Sequence, residues 1–228
     1  MGGASRASRA TAFGKGHRLG GLLLLILLSL SFQLAAPDSD WARLVIVLLQ
    51  GATLLGALLA SGARRSLVRL ATVVVALATA TAIAALIGGG DSGASSARIV
   101  TLLLIALAPA AIAAGIVRDV REQRGVSLQT MFGVLCVYLL LGMFFSFCFN
   151  VIQELSDDPF FADAVSGDPS DFLYFSFSTM TTTGYGDLTA ATNLGRSLSI
   201  TEALVGQIYL VTVVAVIVGN LRPRRAPA

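Results

Sequence analysis

Six apolar runs constrain this chain more than any other feature: residues 19–36, 41–60, 67–87, 99–117, 128–152 and 194–221. A helix needs about 20 residues to cross the hydrocarbon of a bilayer, and each run reaches or nearly reaches that length; the last two are long enough to tilt. The runs are unbroken blocks, not apolar positions recurring at helical spacing, and such blocks read as spans. Composition agrees. Of the 228 residues, 55% are hydrophobic and 13% charged, too little charge to cover a soluble domain. The expected class is an all-α membrane protein with six transmembrane helices, its partner the lipid bilayer. The formal charge of +3 is small and the basic residues dispersed, so no nucleic acid partner is expected.

The basic residues orient the spans. Arg6, Arg9, Lys15 and Arg18 precede the first run, and Arg64, Arg65 and Arg69 lie at the junction of the second and third. Arg118, Arg121 and Arg124 separate the fourth and fifth, and Arg222, Arg224 and Arg225 follow the sixth. Thirteen of the 16 basic residues therefore share one side if every long run crosses once. By the positive-inside rule that side is the cytoplasm, which puts both termini inside, in a multi-pass protein of the inner (plasma) membrane. A seventh apolar stretch, 171–182, is too short to span as a helix and reads as a re-entrant or interfacial element. Parity requires it to enter and leave from the outer face. The resulting organisation is a cytoplasmic basic tail (1–18), a four-helix bundle (19–117), a cytoplasmic linker (118–127), a pore domain (128–221) and a short tail (222–228).

Several features carry less. The first run, with its basic start and the following PDSD, also has the form of a secretory signal peptide, but it is longer than a usual signal core and is expected to be retained. Cys136 and Cys148, twelve residues apart in one run, are separated by roughly 18 Å along a helix and cannot bridge each other; they read as small packing residues. His17 reads as a solvated tail residue. The connection 153–171 carries Glu154, Asp157, Asp158, Asp163, Asp168 and Asp171 and no Lys or Arg. It is a solvated loop or a vestibule that concentrates cations, and both can hold.

The stretch DFLYFSFSTMTTTGYGDL, residues 171–188, resembles the pore helix, selectivity filter and outer mouth of bacterial potassium channels. The family filter, T-V-G-Y-G followed by D, is matched here by Thr182, Thr183, Gly184, Tyr185, Gly186 and Asp187. The sixth run, with GRSLSITEALVGQIYLVTVVAVIVG, is similar to the family's inner helix. The resemblance covers the last hundred residues or so, and the first four runs carry no comparable motif. It implies a K+ selectivity filter at residues 182–186, in which a ring of backbone carbonyls replaces the ion's water shell. Turning successive carbonyls to one axis needs backbone angles that a Cβ resists, hence Gly184 and Gly186. Thr182 would add a hydroxyl at the inner end, Tyr185 would pack back on the pore helix, and Asp187 would tie the mouth to that helix. One chain gives one filter strand, so a ring of four requires a homotetramer, or a heterotetramer with other pore chains. Potassium is then the permeant ion; no cofactor and no small-molecule substrate is expected.

Two departures from the family pattern stand out. Thr183 replaces the usual Val, putting a hydroxyl behind the filter. Ala190 stands where Pro is frequent, which implies a less rigid outer mouth. The alternative function is a non-selective monovalent cation channel. Voltage gating is not expected, because the fourth run has only Arg98 and Arg118, one at each end, and Arg121 and Arg124 interleave with Asp119 and Glu122 beyond it. An enzyme is not expected either. G-Y-G-D resembles the G-x-G-D of intramembrane aspartyl proteases, but that chemistry needs a second aspartate on a facing helix, and no other run contains one.

Two inner-helix residues complete the candidates. Glu202 is the only acid well inside a run, roughly 12 Å from its start and about level with the filter. It is either a hydrogen-bond anchor to the pore helix, through Ser178 or Thr179, or a proton-sensitive control of the filter. Gly206 is either a gating hinge or a point of close helix packing.

Overall fold

The computed structural model describes residues 3–37, 39–60, 65–88, 128–156, 158–162 and 167–220. Among the described residues the chain is helical: α1 (Gly3–Ala35), α2 (Asp40–Ala60), α3 (Arg65–Gly88), α4 (Leu128–Leu155), α5 (Pro169–Met180) and α6 (Asn193–Asn220). The fourth apolar run and its arginines lie outside the described residues. An isolated antiparallel bridge between Phe161 and Ala190 is the extended pairing found there. The class is therefore an all-α membrane protein. Two helices are long and apolar enough to cross a bilayer, over Met131–Leu155 and Asn193–Val216; shorter apolar helices cover Leu19–Ala35, Leu44–Leu59 and Val68–Ala80.

The expected boundaries shift for local reasons. The first helix starts at Gly3, well before the apolar run at Leu19; the run's basic preamble contains no proline, and Gly14 and Gly16 weaken a helix without ending it. The short helix α5 starts at Pro169, two residues before the expected start. Proline suits the first helical position, where its missing N–H costs nothing, and Asp171 Oδ2 accepts the Asp168 N–H at 3.1 Å.

One apolar core joins the amino-terminal helices to the later ones. Leu22, Ile26 and Leu30 of α1 pack with Leu54, Ala57 and Leu58 of α2, with Cys136, Val137, Leu140 and Met143 of α4, and with Leu173 of α5. Chain order α1–α2–α3 is also packing order, and α1 lies against α4 and α5. Polar groups sit inside this packing. Gln50 donates to Gln33 Oε1 at 3.1 Å, and Gln33 donates to Ser29 Oγ at 3.1 Å. Where lipid tails are as apolar as leucine, helices associate through packing and such hydrogen bonds.

A second, aromatic core carries the site. Phe145 and Phe149 of α4, Phe160 and Phe161 of the connection, and Phe172 and Phe175 of α5 form one cluster with Ala190. Ring centroids lie 4.9 to 6.5 Å apart, mostly edge to face, the favoured geometry for aromatic pairs. The cluster wedges the connection between α4 and α5 and so fixes where the chain leaves α5.

Candidate functional site

The site is the turn that follows α5. Thr181 N–H still bonds Phe177 O at 3.0 Å, and Thr182 N–H bonds Thr179 O at 3.0 Å. Beyond them the helix stops and the amides fold back: Thr183 and Gly184 both donate to Ser178 O, at 2.9 and 3.1 Å. The carbonyl end of α5, with its partial negative charge, thus feeds directly into residues 181–187.

The backbone then alternates in hand. Thr182, Gly184 and Gly186 have φ of +58, +54 and +82°, and Thr183 and Tyr185 between them do not enter the left-handed region. Alternation cancels the coil that either hand alone would make. A chain of alternating hand can run extended, with successive carbonyls turned to one side and amides to the other. The amides of Thr183 and Gly184 are the groups that return to Ser178; among the described residues no donor is bonded to the carbonyls of residues 182–186. Glycine meets this demand at two of the three positions. At the third, a threonine holds a conformation that costs about 1–2 kcal/mol for a residue with a Cβ. Its hydroxyl has two partners, donating to Thr181 O at 2.7 Å and accepting from Gln207 Nε2 of α6 at 3.2 Å.

Each candidate side chain has a defined place. Thr183 Oγ1 lies 2.9 Å from Thr181 Oγ1. Tyr185 is 70% exposed in the single chain and stacks on Tyr174 of α5, centroids 5.9 Å apart and planes within 10°. Tyr174 O–H donates to Asp187 Oδ2 at 2.9 Å, which ties the far end of the loop to the middle of α5. Reduced solvation, with Asp187 and Tyr185 alongside, raises the Tyr174 phenol above its ordinary range. Ala190 is buried and held by its backbone. Beyond its bridge to Phe161, Thr189 O accepts from Ala162 N–H at 2.8 Å, Ala191 N–H donates to Phe160 O at 2.8 Å, and Arg196 Nε donates to Ala190 O at 3.0 Å. The rigidity expected of a proline is supplied here by pairing.

Glu202 is fully buried, on the face of α6 that meets α5. Its partner is Ser176, two residues before the expected Ser178 and three before Thr179; Ser176 Oγ is hydrogen-bonded to Glu202 Oε1 and, at 2.7 Å, to Gly142 O of α4. Gly206 is a point of contact: a Cβ there would lie 2.7 Å from Met180 Cγ and 2.8 Å from Met180 O. The bare α6 backbone thus seats the last turn of α5. Tyr209 O–H, one turn further along, bonds Val134 O of α4 at 2.7 Å.

Sequence reasoning missed Tyr174, Ser176, Gln207 and the Phe160–Phe161 pair. Gln207 carried a usable signal, a polar amide in an apolar run. The others did not, because their roles depend on which helices meet.

Residues 133–222 match the model of a family described as an ion channel. The match runs from α4 through α5 and the alternating strand to just past α6. It covers less than half of the chain and leaves α1, α2 and α3 outside it. No curated protein and no solved structure matches the chain. The matched module is thus similar to an ion channel, and the site lies within it.

Proposed function

We propose that the protein is a potassium-selective channel in which residues 182–186 of four copies form the filter. The observation that carries this reading is the alternating backbone. A strand of alternating hand, with the Thr183 and Gly184 amides tied to its own pore helix and no donor among the described residues on the carbonyls of 182–186, can present a column of oxygens, the ligands a dehydrated cation requires. One strand cannot encircle an ion, so the reading needs four copies around an axis. The stripe Ile200, Leu204, Ile208 and Val211 of α6, each more than half exposed, supports assembly. Only 11% of the α6 span is covered within one chain, against 50% of the α4 span.

In this reading the chain crosses the membrane six times with both termini in the cytoplasm, α5 is re-entrant, and conduction is passive and not driven by a voltage sensor. Asp187 and Tyr174 hold the outer mouth, and Glu202 supports the strand from behind. A second reading, a non-selective monovalent cation channel, is favoured by one feature, the Thr181–Thr183 hydroxyl pair where an apolar contact would make a stiffer backing. The test is a reversal potential, with the purified full chain in a planar bilayer and potassium on one side, sodium on the other. A potential strongly favouring potassium supports the first reading; a potential near zero with measurable current supports the second.

A further inference from the structure

The Ser176 hydroxyl has one proton and two oxygen neighbours. One is Gly142 O, a carbonyl that can only accept. The other is Glu202 Oε1. If Glu202 were a carboxylate, both neighbours would be acceptors, and one of the two contacts would bring oxygens together with no hydrogen between them. Both are full two-centre hydrogen bonds only if Ser176 donates to Gly142 O and Glu202 donates to Ser176 Oγ, which makes Glu202 a carboxylic acid.

Its surroundings agree. Glu202 is fully buried, and its other oxygen, Oε2, has no hydrogen-bond partner among the described residues. An acid tolerates one unmatched carbonyl oxygen far better than a buried carboxylate tolerates the loss of its donors. The three helices that meet at Ser176 carry almost no cation. Residues 128–155 and 169–180 contain no Lys or Arg, and residues 193–220 contain only Arg196, whose Nε is bonded to Ala190 O. Among the described residues, the titratable side chains close enough to feel a charge at Glu202 are Tyr138 and Cys148 of α4, and on α5 its neighbour is the Ser176 hydroxyl.

We infer that Glu202 is held as a neutral carboxylic acid and that its proton completes a three-helix pin, α6 to Ser176 of α5 to the Gly142 carbonyl of α4. Ser176 lies two residues before Ser178, whose carbonyl holds the amides of Thr183 and Gly184, so the pin fixes the helix from which the strand hangs. Glu202 is a positioning residue here. Its effect on ion selectivity rests on the potassium reading; its protonation does not.

The test is infrared spectroscopy of the full chain in lipid at neutral pH, comparing wild type with Glu202→Gln. The expected result is a protonated-carboxyl C=O band in wild type that is absent from the variant. Loss of a carboxylate band instead would overturn the inference. Glutamine reproduces the acid, its amide donating to Ser176 Oγ, so Glu202→Gln should keep the melting temperature and reversal potential of wild type, whereas Ser176→Ala and Glu202→Ala should lower the first and shift the second toward zero. A Glu202→Gln variant as impaired as Glu202→Ala would also overturn it. A protonated band in a protein with no potassium preference would sink the filter reading and leave this inference standing.

Discussion

Thr182, Gly184 and Gly186 make the strand possible by accepting left-handed backbone, but they do so differently. Nothing lies within 4 Å of a Cβ built on Gly186. Gly186→Ala should therefore cost only backbone strain, about 1–2 kcal/mol, and the chain should still fold and assemble. Potassium selectivity should fall nonetheless, because the penalty acts on carbonyl direction; a reversal potential unchanged from wild type would remove Gly186 from the filter. Tyr174→Phe keeps the ring that stacks on Tyr185 and removes the O–H that Asp187 accepts. An exposed hydrogen bond of this kind contributes about 0.5–1.5 kcal/mol. The variant should conduct but lose current faster during sustained recording, and equal decay in the two proteins would count against the tie.

Among the elements, α5 is the one on which the others converge. It meets α4 through Ser176 and the Gly142 carbonyl, α6 through Met180 and Gly206, and the connection through Phe172 and Phe175. Its end must stay where the α6 backbone can approach it. Gly206→Ala would place a methyl 2.8 Å from Met180 O, a backbone atom that cannot rotate away. Overpacking of this sort costs about 1–3 kcal/mol. The melting temperature of the protein in detergent should drop, whereas Gly219→Ala, where a Cβ meets nothing within 4 Å, should leave it unchanged. Equal stability of the two variants would favour a hinge role for Gly206 over a packing role.

At the scale of the molecule, the amino-terminal helices are part of one body with the pore module. Ile26 is fully buried among residues of α2, α4 and α5, an environment that a cleaved leader would vacate. Intact mass of the protein extracted from membranes should therefore include residues 19–36, and a mass starting after Ala36 would reverse this. Ile26→Ala should destabilise by less than the about 2–5 kcal/mol of the same truncation in an aqueous core. Lipid is as apolar as the vacated site, so lost packing remains and transfer from water does not.

The apolar runs, the short stretch between the last two and the T-T-G-Y-G-D motif were legible in the linear order of residues, because membrane thickness and backbone handedness impose lengths and glycines that no partner helix can change. Glu202 was legible as an anomaly, a carboxyl where burial is costly. Its partner was not, since choosing Ser176 over Ser178 or Thr179 depends on the rotation of α5 against α6. The backing of the strand by Tyr174, the clasp of Gln207 on Thr182 and the Phe160–Phe161 wedge were equally hidden: each joins residues far apart in the chain, at distances set by helix packing. Thr182 is the sharpest case. Sequence favours glycine for left-handed backbone, yet a threonine holds it, because its amide, its hydroxyl and Gln207 together offset the strain.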